Sequence, residues 1–208
     1  MSEKKGGVGG MLKLGLILAL YAAVACVGLA FVYAGTAKVI ARHQQEDLEA
    51  SLKELFPDAD NYKPVTEINS PNPTVSFEEG GSFAALKNGE TIGLALKVSR
   101  ASYGGAIKII VGVGTDRKIS GVKILEHNDT PGLGANAASA NYYVDRTRGI
   151  RFYDQFAGKN VSDPFIPKQD VIAITAATVT SRAVAESVKA AGEAASAWLT
   201  ANVQGGSR

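Results

Sequence analysis

The chain has 208 residues, a formal net charge of +2 and 23 glycines. A charge balance this close to zero, with no block of basic residues, argues against nucleic acid as a partner. The single cysteine, Cys26, falls in an apolar stretch, so the rest of the chain depends on no disulfide and offers no thiolate ligand to a metal ion.

The N-terminal region predicts a membrane anchor. Residues 1–10 form a polar, glycine-rich leader, and residues 11–35 contain an uncharged apolar run. This run, Leu14 to Ala34, reaches the about 20 residues that a helix needs to cross a bilayer. A signal peptide cleaved after Ala23-Val24-Ala25 is the alternative, but its apolar core is normally only about 7–15 residues long. We therefore expect an uncleaved single transmembrane helix in contact with the lipid bilayer.

Charges on either side of the apolar run predict its orientation. Lys4, Lys5 and Lys13 precede the run, whereas Lys38 and Arg42 follow it. Positive charges are enriched on the cytoplasmic side of membrane helices. The count predicts a single-pass protein of the cell (inner) membrane, with a cytoplasmic N-terminus and an extracytoplasmic, periplasmic main domain.

Two segments connect the anchor to the rest of the chain. Residues 36–57 predict a juxtamembrane amphipathic helix, because apolar residues recur at helical spacing until Pro57 ends the pattern. Residues 58–81 contain several prolines and Gly80-Gly81, and they predict an extended surface connection.

Residues 82–203 predict one α+β domain built on an antiparallel sheet. Phe83–Leu86 and Thr91–Val98 flank Asn88-Gly89, a dipeptide suited to a tight hairpin turn. A second hairpin is predicted from Ala106–Val113 and Ile119–Glu126. The sheet should therefore contain at least four strands.

Helices and one more strand are predicted after the sheet. The pattern favours a helix over Ala135–Val144, a helical turn over Phe152–Phe156, a short strand over Asp170–Ile174 and a helix from Thr178 to about Ala201. The last helix carries an apolar stripe that can pack on the sheet, formed by Val184, Val188, Ala191, Ala195 and Trp198. A polar, glycine-rich tail, residues 204–208, should be frayed.

The start of the last helix is rich in hydroxyl groups: Thr175, Thr178, Thr180 and Ser181. A helix N-terminus presents unpaired N–H groups and the positive end of the helix dipole, so it can hold a phosphate. The alternative is that one of these hydroxyls simply caps the helix.

A second motif lies upstream, in the loop His127-Asn128-Asp129-Thr130-Pro131-Gly132-Leu133-Gly134. Its proline and two glycines allow a sharp turn and a close approach of the backbone to a ligand. A plain turn and a metal site on His127 with Asp129 or Glu126 are alternatives, although a structural metal site normally needs four ligands.

The two motifs in this order, the strand entry Gly104-Gly105-Ala106-Ile107 and the N-terminal span resemble RnfG, the G subunit of the Rnf electron-transport complex. The homologous NqrC protein of the sodium-translocating NADH:quinone reductase is similar too. The resemblance covers nearly the whole chain. In this family, flavin mononucleotide (FMN) is joined by a phosphoester to the threonine that closes a Ser/Thr-Gly-Ala-Thr motif, here Thr178, and a separate flavin transferase makes the bond.

The resemblance also implies which other residues contact the flavin. The family loop usually reads His-x-Glu-Thr-Pro-Gly-Leu-Gly and lies against the cofactor. The implied cofactor-binding residues beside Thr178 are Thr175, Ala176, Ala177, Val179, Thr180, Asp129, Thr130, Gly132, Leu133 and Gly134. No catalytic or metal-binding residue is implied.

Three residues depart from the family pattern. Ile172 stands where the family commonly has aspartate, with Asp170 displaced by two positions, and this change could weaken recognition by the transferase. Ala176 replaces the glycine, and we expect it to need only a backbone angle that an L-residue tolerates. Asp129 replaces glutamate and shortens the carboxylate side chain by one methylene.

The resemblance implies a membrane-anchored electron carrier with covalent FMN inside an ion-translocating ferredoxin:NAD oxidoreductase. Its partners would be the membrane and iron–sulfur subunits of that complex. No Ser-His-Asp set or Walker sequence is present, which agrees with a carrier that has no substrate chemistry of its own. The alternatives are the FMN subunit of a sodium-translocating NADH:quinone reductase and a non-redox anchored binding or scaffold domain, with Thr178 as a helix cap.

Overall fold

A computed structural model of the chain describes residues 8–66 and 68–203. The predicted tail, residues 204–208, and most of the predicted leader, residues 1–7, lie outside the described residues. The chain divides into two compact units after Glu46. The prediction of an α+β protein is confirmed: a long apolar helix is followed by an antiparallel sheet and a second long helix.

Helix α1 spans Val8–Leu55 without interruption. It therefore covers both the anchor predicted over residues 11–35 and most of the amphipathic segment predicted over residues 36–57. Its apolar part has a mean hydropathy of 2.5 and is long enough to cross a membrane. The helix ends shortly before Pro57, as expected for a residue whose ring restricts the backbone that precedes it.

A five-stranded antiparallel sheet follows in the order β1-β2-β3-β4-β5. The strands are β1 (Asn61–Pro64), β2 (Val75–Lys87), β3 (Glu90–Ala101), β4 (Ala106–Gly114) and β5 (Ile119–Glu126). Both predicted hairpins are confirmed. Asn88 and Gly89 have φ angles of 52° and 85°, as a two-residue turn with two positive φ angles requires.

The segment predicted as a plain connection, residues 58–81, contains β1 and the beginning of β2. Strand β1 pairs with Phe83–Leu86 at the edge of the sheet. Pro64 is compatible with this position because an edge strand has one side that makes no ladder hydrogen bonds.

Two other predictions after the sheet are wrong. The predicted helix Ala135–Val144 does not form, and only a 3-10 turn is found there, at Gly134–Ala137. The end of this segment belongs to strand β6 (Tyr143–Asp145), which pairs with β7 (Ile150–Arg151). The predicted strand Asp170–Ile174 is reduced to one bridge between Pro167 and Val171. The predicted helical turn is confirmed as a 3-10 turn at Asp154–Phe156.

Helix α2 (Thr178–Asn202) is confirmed and packs on one face of the sheet. The predicted stripe is buried from Val184 to Ala195, while Trp198 is half-buried at the edge of this core. The other face of the sheet is covered by Leu52, Leu55 and Phe56 from the end of α1 and the residue after it. Successive side chains of β4 accordingly point to opposite faces of the sheet. Ile109 packs on the face covered by α2, and Ile110 packs on the face covered by Leu52, Leu55 and Phe56.

Candidate functional site

Thr178 is the first residue of α2 and is exposed. The residue before it, Ala177, occupies the cap position, and no side chain in the part of the chain that the structure describes caps the helix. Among residues 8–66 and 68–203, neither the Thr178 hydroxyl nor the N–H groups of Thr178, Val179 and Thr180 have a hydrogen-bond partner. The N-terminus of α2 thus combines a free hydroxyl with free N–H donors and the positive end of the helix dipole.

The other three hydroxyls have different environments. Thr180 Oγ1 donates a 2.7 Å hydrogen bond to Asp129 Oδ2. Ser181 Oγ donates to the Ala177 carbonyl and accepts from the Ile174 N–H, both at 2.9 Å. Thr175 is exposed in the turn before the helix. None of the four acts as the helix cap, so the capping interpretation does not describe this helix start.

Asp129 connects three separate segments of the chain. Its carboxylate is buried and accepts hydrogen bonds from Ser102 Oγ at 2.6 Å, from the Gly104 N–H at 2.6 Å and from Thr180 Oγ1 at 2.7 Å. Burial alone raises the pKa of Asp129, but these three donors and the nearby His127 more than offset that effect, so its pKa lies below the usual value. Asp129 is therefore charged at neutral pH and holds the loop against helix α2.

Gly134 closes the same loop where it touches the helix. A Cβ atom at this position would lie 2.5 Å from Thr180 Oγ1 and 2.8 Å from Asp129 Cβ. Any larger residue would separate the loop from the helix start, which explains why a glycine stands at the end of the predicted loop motif.

A cavity of about 550 Å³ opens beside Thr178 and gathers nine of the eleven predicted site residues. They are Asp129, Thr130, Leu133, Gly134, Ala176, Ala177, Thr178, Val179 and Thr180. Of the other two predicted residues, Thr175 lines a different cavity, and Gly132 lines neither of these two. Sequence reasoning missed Tyr103, which lines the same cavity; its only signal was its place just before the Gly104-Gly105 pair.

A second cavity, of about 770 Å³, adjoins Thr178 on the side of residues 168–176. Arg148, Lys159 and Lys168 contribute basic side chains to it. Asp170 also lines it, and its carboxylate accepts hydrogen bonds from the Phe165 and Ile166 N–H groups at 3.0 and 2.6 Å. Burial raises the pKa of Asp170, but these bonds and Lys159 lower it overall.

The backbone at Ala176 differs from expectation. Its φ angle is +59°, in the left-handed region that favours glycine. The expectation that Ala176 needs only a backbone angle that an L-residue tolerates is therefore wrong, because alanine adopts this angle only with strain. The glycine of the family motif would adopt this conformation freely, whereas an alanine pays a steric cost of about 1–2 kcal/mol.

Family models match two parts of the chain. The RnfG N-terminal region matches residues 4–55, and the FMN-binding domain matches residues 102–193, which include the 550 Å³ cavity. The chain is 34% identical over 193 residues to the G subunit of the ion-translocating oxidoreductase complex of Aliivibrio fischeri, covering 87% of this chain and 88% of the relative. The chain belongs to this RnfG family.

Other relatives in the family carry more specific names. The G subunit of a Na⁺-translocating ferredoxin:NAD⁺ oxidoreductase complex from Acetobacterium woodii is 29% identical, over 85% of this chain and 87% of its own. A proton-translocating counterpart from Clostridium ljungdahlii is 33% identical, over 79% and 80%. A crystal structure of Shewanella oneidensis NqrC matches with a TM-score of 0.41 and 20% identity, over 58% of this chain and 64% of that one. The relatives from Aliivibrio fischeri and Clostridium ljungdahlii confirm, at the level of the family, the resemblance inferred from the two motifs.

Proposed function

We propose that this RnfG protein carries FMN on Thr178 through a phosphoester and relays electrons inside an ion-translocating ferredoxin:NAD oxidoreductase complex. One observation carries the proposal. The exposed Thr178 hydroxyl and the unpaired N–H groups of Thr178, Val179 and Thr180 lie together at an uncapped helix start, beside a cavity within the FMN-binding domain match.

The residues present fit both parts of FMN. A phosphate on Thr178 Oγ1 would lie at the positive end of the α2 dipole, next to N–H donors that have no acceptor among the described residues. The flat flavin ring needs an apolar, partly open space, which Leu133, Val179 and Tyr103 supply in the 550 Å³ cavity.

Bound FMN would supply the redox chemistry, and the chain would supply its placement. Thr178 provides the covalent attachment point, and the first turn of α2 provides N–H donors for the phosphate. Asp129 fixes the loop that carries Leu133 against the helix, so the wall of the cavity keeps its position relative to Thr178. None of these groups needs to exchange a proton with a substrate, which is consistent with an electron carrier.

Membrane attachment and partners follow from the same proposal. The apolar part of α1 would anchor the protein in the inner membrane with a cytoplasmic N-terminus, and a flavin transferase would attach FMN to the extracytoplasmic domain. Other subunits of a complex like those named for the relatives would be its electron-transfer partners.

The test is denaturing gel electrophoresis under ultraviolet light, followed by intact-protein mass spectrometry. The full chain co-expressed with a flavin transferase should give a fluorescent band and the mass of one FMN phosphoester, mapped to Thr178. Thr178→Ala should abolish both signals, because it removes the side-chain oxygen through which the phosphoester would be joined. Thr200→Ala is the matched control, since Thr200 is an exposed threonine near the other end of α2 that lines neither of the two cavities, and its hydroxyl should be dispensable.

Two results would contradict the proposal. The first is a wild-type protein without an added flavin mass despite an active transferase. The second is a Thr178→Ala variant that keeps the fluorescent band.

A further inference from the structure

Tyr103 occupies an unusual position for an aromatic side chain. It is 76% exposed, yet it lines the same cavity as Thr178 and Leu133. Among the described residues that line this cavity, it is the one aromatic side chain. Hydrophobic burial within this chain therefore does not account for its position.

The backbone around Tyr103 is held on both sides. Ser102 N–H donates to the Gly105 carbonyl at 2.7 Å, so Tyr103 and Gly104 form the tip of the four-residue connection between β3 and β4. The residues before and after Tyr103 both donate to the Asp129 carboxylate: Ser102 Oγ to Oδ2 and Gly104 N–H to Oδ1, each at 2.6 Å. Two hydrogen bonds to one ionised group fix this connection more firmly than neutral bonds would.

Asp129 also ties the connection to helix α2, because its Oδ2 accepts from Thr180 Oγ1. Thr180 lies two residues after Thr178. One carboxylate thus sets the position of Tyr103 relative to the helix start that presents the Thr178 hydroxyl. The hydrogen bonds order the backbone that carries the exposed Tyr103 ring, so the backbone needs little further ordering when a ligand binds.

We propose that Tyr103 stacks on the isoalloxazine ring and forms the aromatic wall of the flavin site. The inference rests on the proposed function, and it assigns a contact that neither motif contains. Leu133 and Val179 line the same cavity and supply aliphatic surface. Aromatic rings in contact stabilise each other by about 0.5–1.5 kcal/mol beyond the area they bury.

The test uses riboflavin, which carries the same ring but no phosphate, so it cannot form the ester with Thr178. The full chain, produced without a flavin transferase and purified in detergent, is titrated with riboflavin while flavin fluorescence is recorded. A phenol stacked on the ring should quench the fluorescence by electron transfer, and a phenyl group should quench it far less. Tyr143→Ala is the control, because Tyr143 is an exposed tyrosine that lines neither cavity.

Three results together are expected. Wild-type protein and Tyr143→Ala bind riboflavin with quenching. Tyr103→Phe keeps the affinity within about twofold but leaves the bound flavin brighter. Tyr103→Ala raises Kd about tenfold, which corresponds to ~1.4 kcal/mol. The brighter flavin in Tyr103→Phe identifies a direct contact, since a purely structural tyrosine would not change the fluorescence of a ligand that still binds.

The proposal is overturned if wild-type protein does not bind riboflavin or if Tyr103→Ala binds riboflavin as tightly as wild type. It is also overturned if Tyr103→Phe quenches the riboflavin fluorescence as strongly as wild type does. Covalent attachment is measured separately, by the mass added at Thr178. A missing ester together with the expected riboflavin results would contradict attachment to Thr178 while leaving Tyr103 as the ring contact.

Discussion

Ala176 places a methyl group where the backbone is left-handed, with φ +59°. The turn that it forms leads directly into the cap residue Ala177 and Thr178, so its conformation helps to set the direction of the attachment residue. An L-residue in this region has its Cβ too close to the backbone. The strain is local, and a single substitution should relieve it.

Ala176→Gly is predicted to raise the free energy of unfolding by about 1 kcal/mol, after allowing for the greater entropy of glycine in the unfolded chain. Chemical denaturation in detergent measures this, with the fluorescence of the single tryptophan, Trp198, as the probe. Ala173→Gly is the control, because Ala173 has no positive φ and should gain nothing. An Ala176→Gly variant less stable than wild type would show that the left-handed turn is not a source of strain.

The charged carboxylate of Asp129 joins its own loop to the β3–β4 connection and to α2, because both of these segments donate hydrogen bonds to it. A carboxylate with a folded-state pKa below its unfolded value adds stability at pH values above the unfolded pKa, about 3.9 for aspartate. That contribution is lost as the pH falls through the lower, folded-state pKa. Acid should therefore weaken the contacts among the β3–β4 connection, the loop and α2.

Asp129→Asn is predicted to lower the free energy of unfolding by about 2 kcal/mol at pH 7, since the amide lacks the charge and cannot accept from all three donors. The difference between wild type and variant should shrink as the pH falls below about 4. Unfolding curves at several pH values measure this difference. Asp58→Asn, which changes an exposed carboxylate 3.6 Å from Lys87 Nζ, should have little effect. A pH-independent difference would contradict the role of the charge.

At the scale of elements, the segment before α2 is ordered without being a strand. Gln155, in the 3-10 turn at Asp154–Phe156, accepts from the Ile172 N–H at 2.7 Å and donates to the Ile172 carbonyl at 3.1 Å. It also donates to the Phe152 carbonyl at 2.9 Å. One side-chain amide thus takes the place of a neighbouring strand and aligns the chain that leads to Thr178.

Gln155→Leu is predicted to speed hydrogen exchange of the Ile172 amide and to cost about 1–2 kcal/mol of stability, because both backbone groups lose their partner. Gln155→Glu is the matched control. It keeps an acceptor for the Ile172 N–H but loses the donor, so the Ile172 amide should stay protected. Residue-resolved hydrogen exchange measures the effect, and equal protection in Gln155→Leu and wild type would contradict this account.

At the scale of the whole molecule, the sheet needs apolar cover on both faces. Helix α2 covers one, and Leu52, Leu55 and Phe56 cover the other, against Ala85, Ala95 and Ile110. These three covering residues belong to the unit that begins at Asp47. The end of α1 therefore contributes to the core of the sheet domain, whereas the apolar window earlier in the helix has no buried side chains.

A fragment of residues 47–208 is predicted to fold and remain soluble, whereas residues 58–208 should lose about 5 kcal/mol of stability and aggregate. The estimate counts three large apolar side chains at about 1.5–3 kcal/mol each, reduced for incomplete burial in the folded chain. Size-exclusion chromatography and Trp198 unfolding curves compare the two fragments. Equal stability would show that the second core is dispensable.

Local patterns in the sequence predicted much of the fold. Alternating apolar residues and Asn88-Gly89 predicted the hairpins, and helical spacing predicted α2. The patterns failed over residues 135–144 and 170–174. The alanine-rich composition of residues 135–144 favoured a helix, but turns and β6 form there. In residues 170–174, the Gln155 side chain hydrogen-bonds to the backbone of Ile172 where the predicted strand would have paired with another strand. Propensity is a weak predictor where tertiary contacts satisfy the backbone.

The sequence by itself determined the long apolar helix, the hairpins, the last helix and the order of the two motifs, because each depends on residues close together in the chain. Only the tertiary structure showed that Thr180 and Ser181 are hydrogen-bonded whereas Thr178 is exposed at the helix start, that Ala176 is left-handed, and that Tyr103 lines the cavity beside Thr178. The place of Tyr103 beside the start of α2 depends on Asp129 joining Ser102, Gly104 and Thr180. Hydrogen bonds between segments so far apart form only when the sheet and α2 pack together, and no local pattern encodes them.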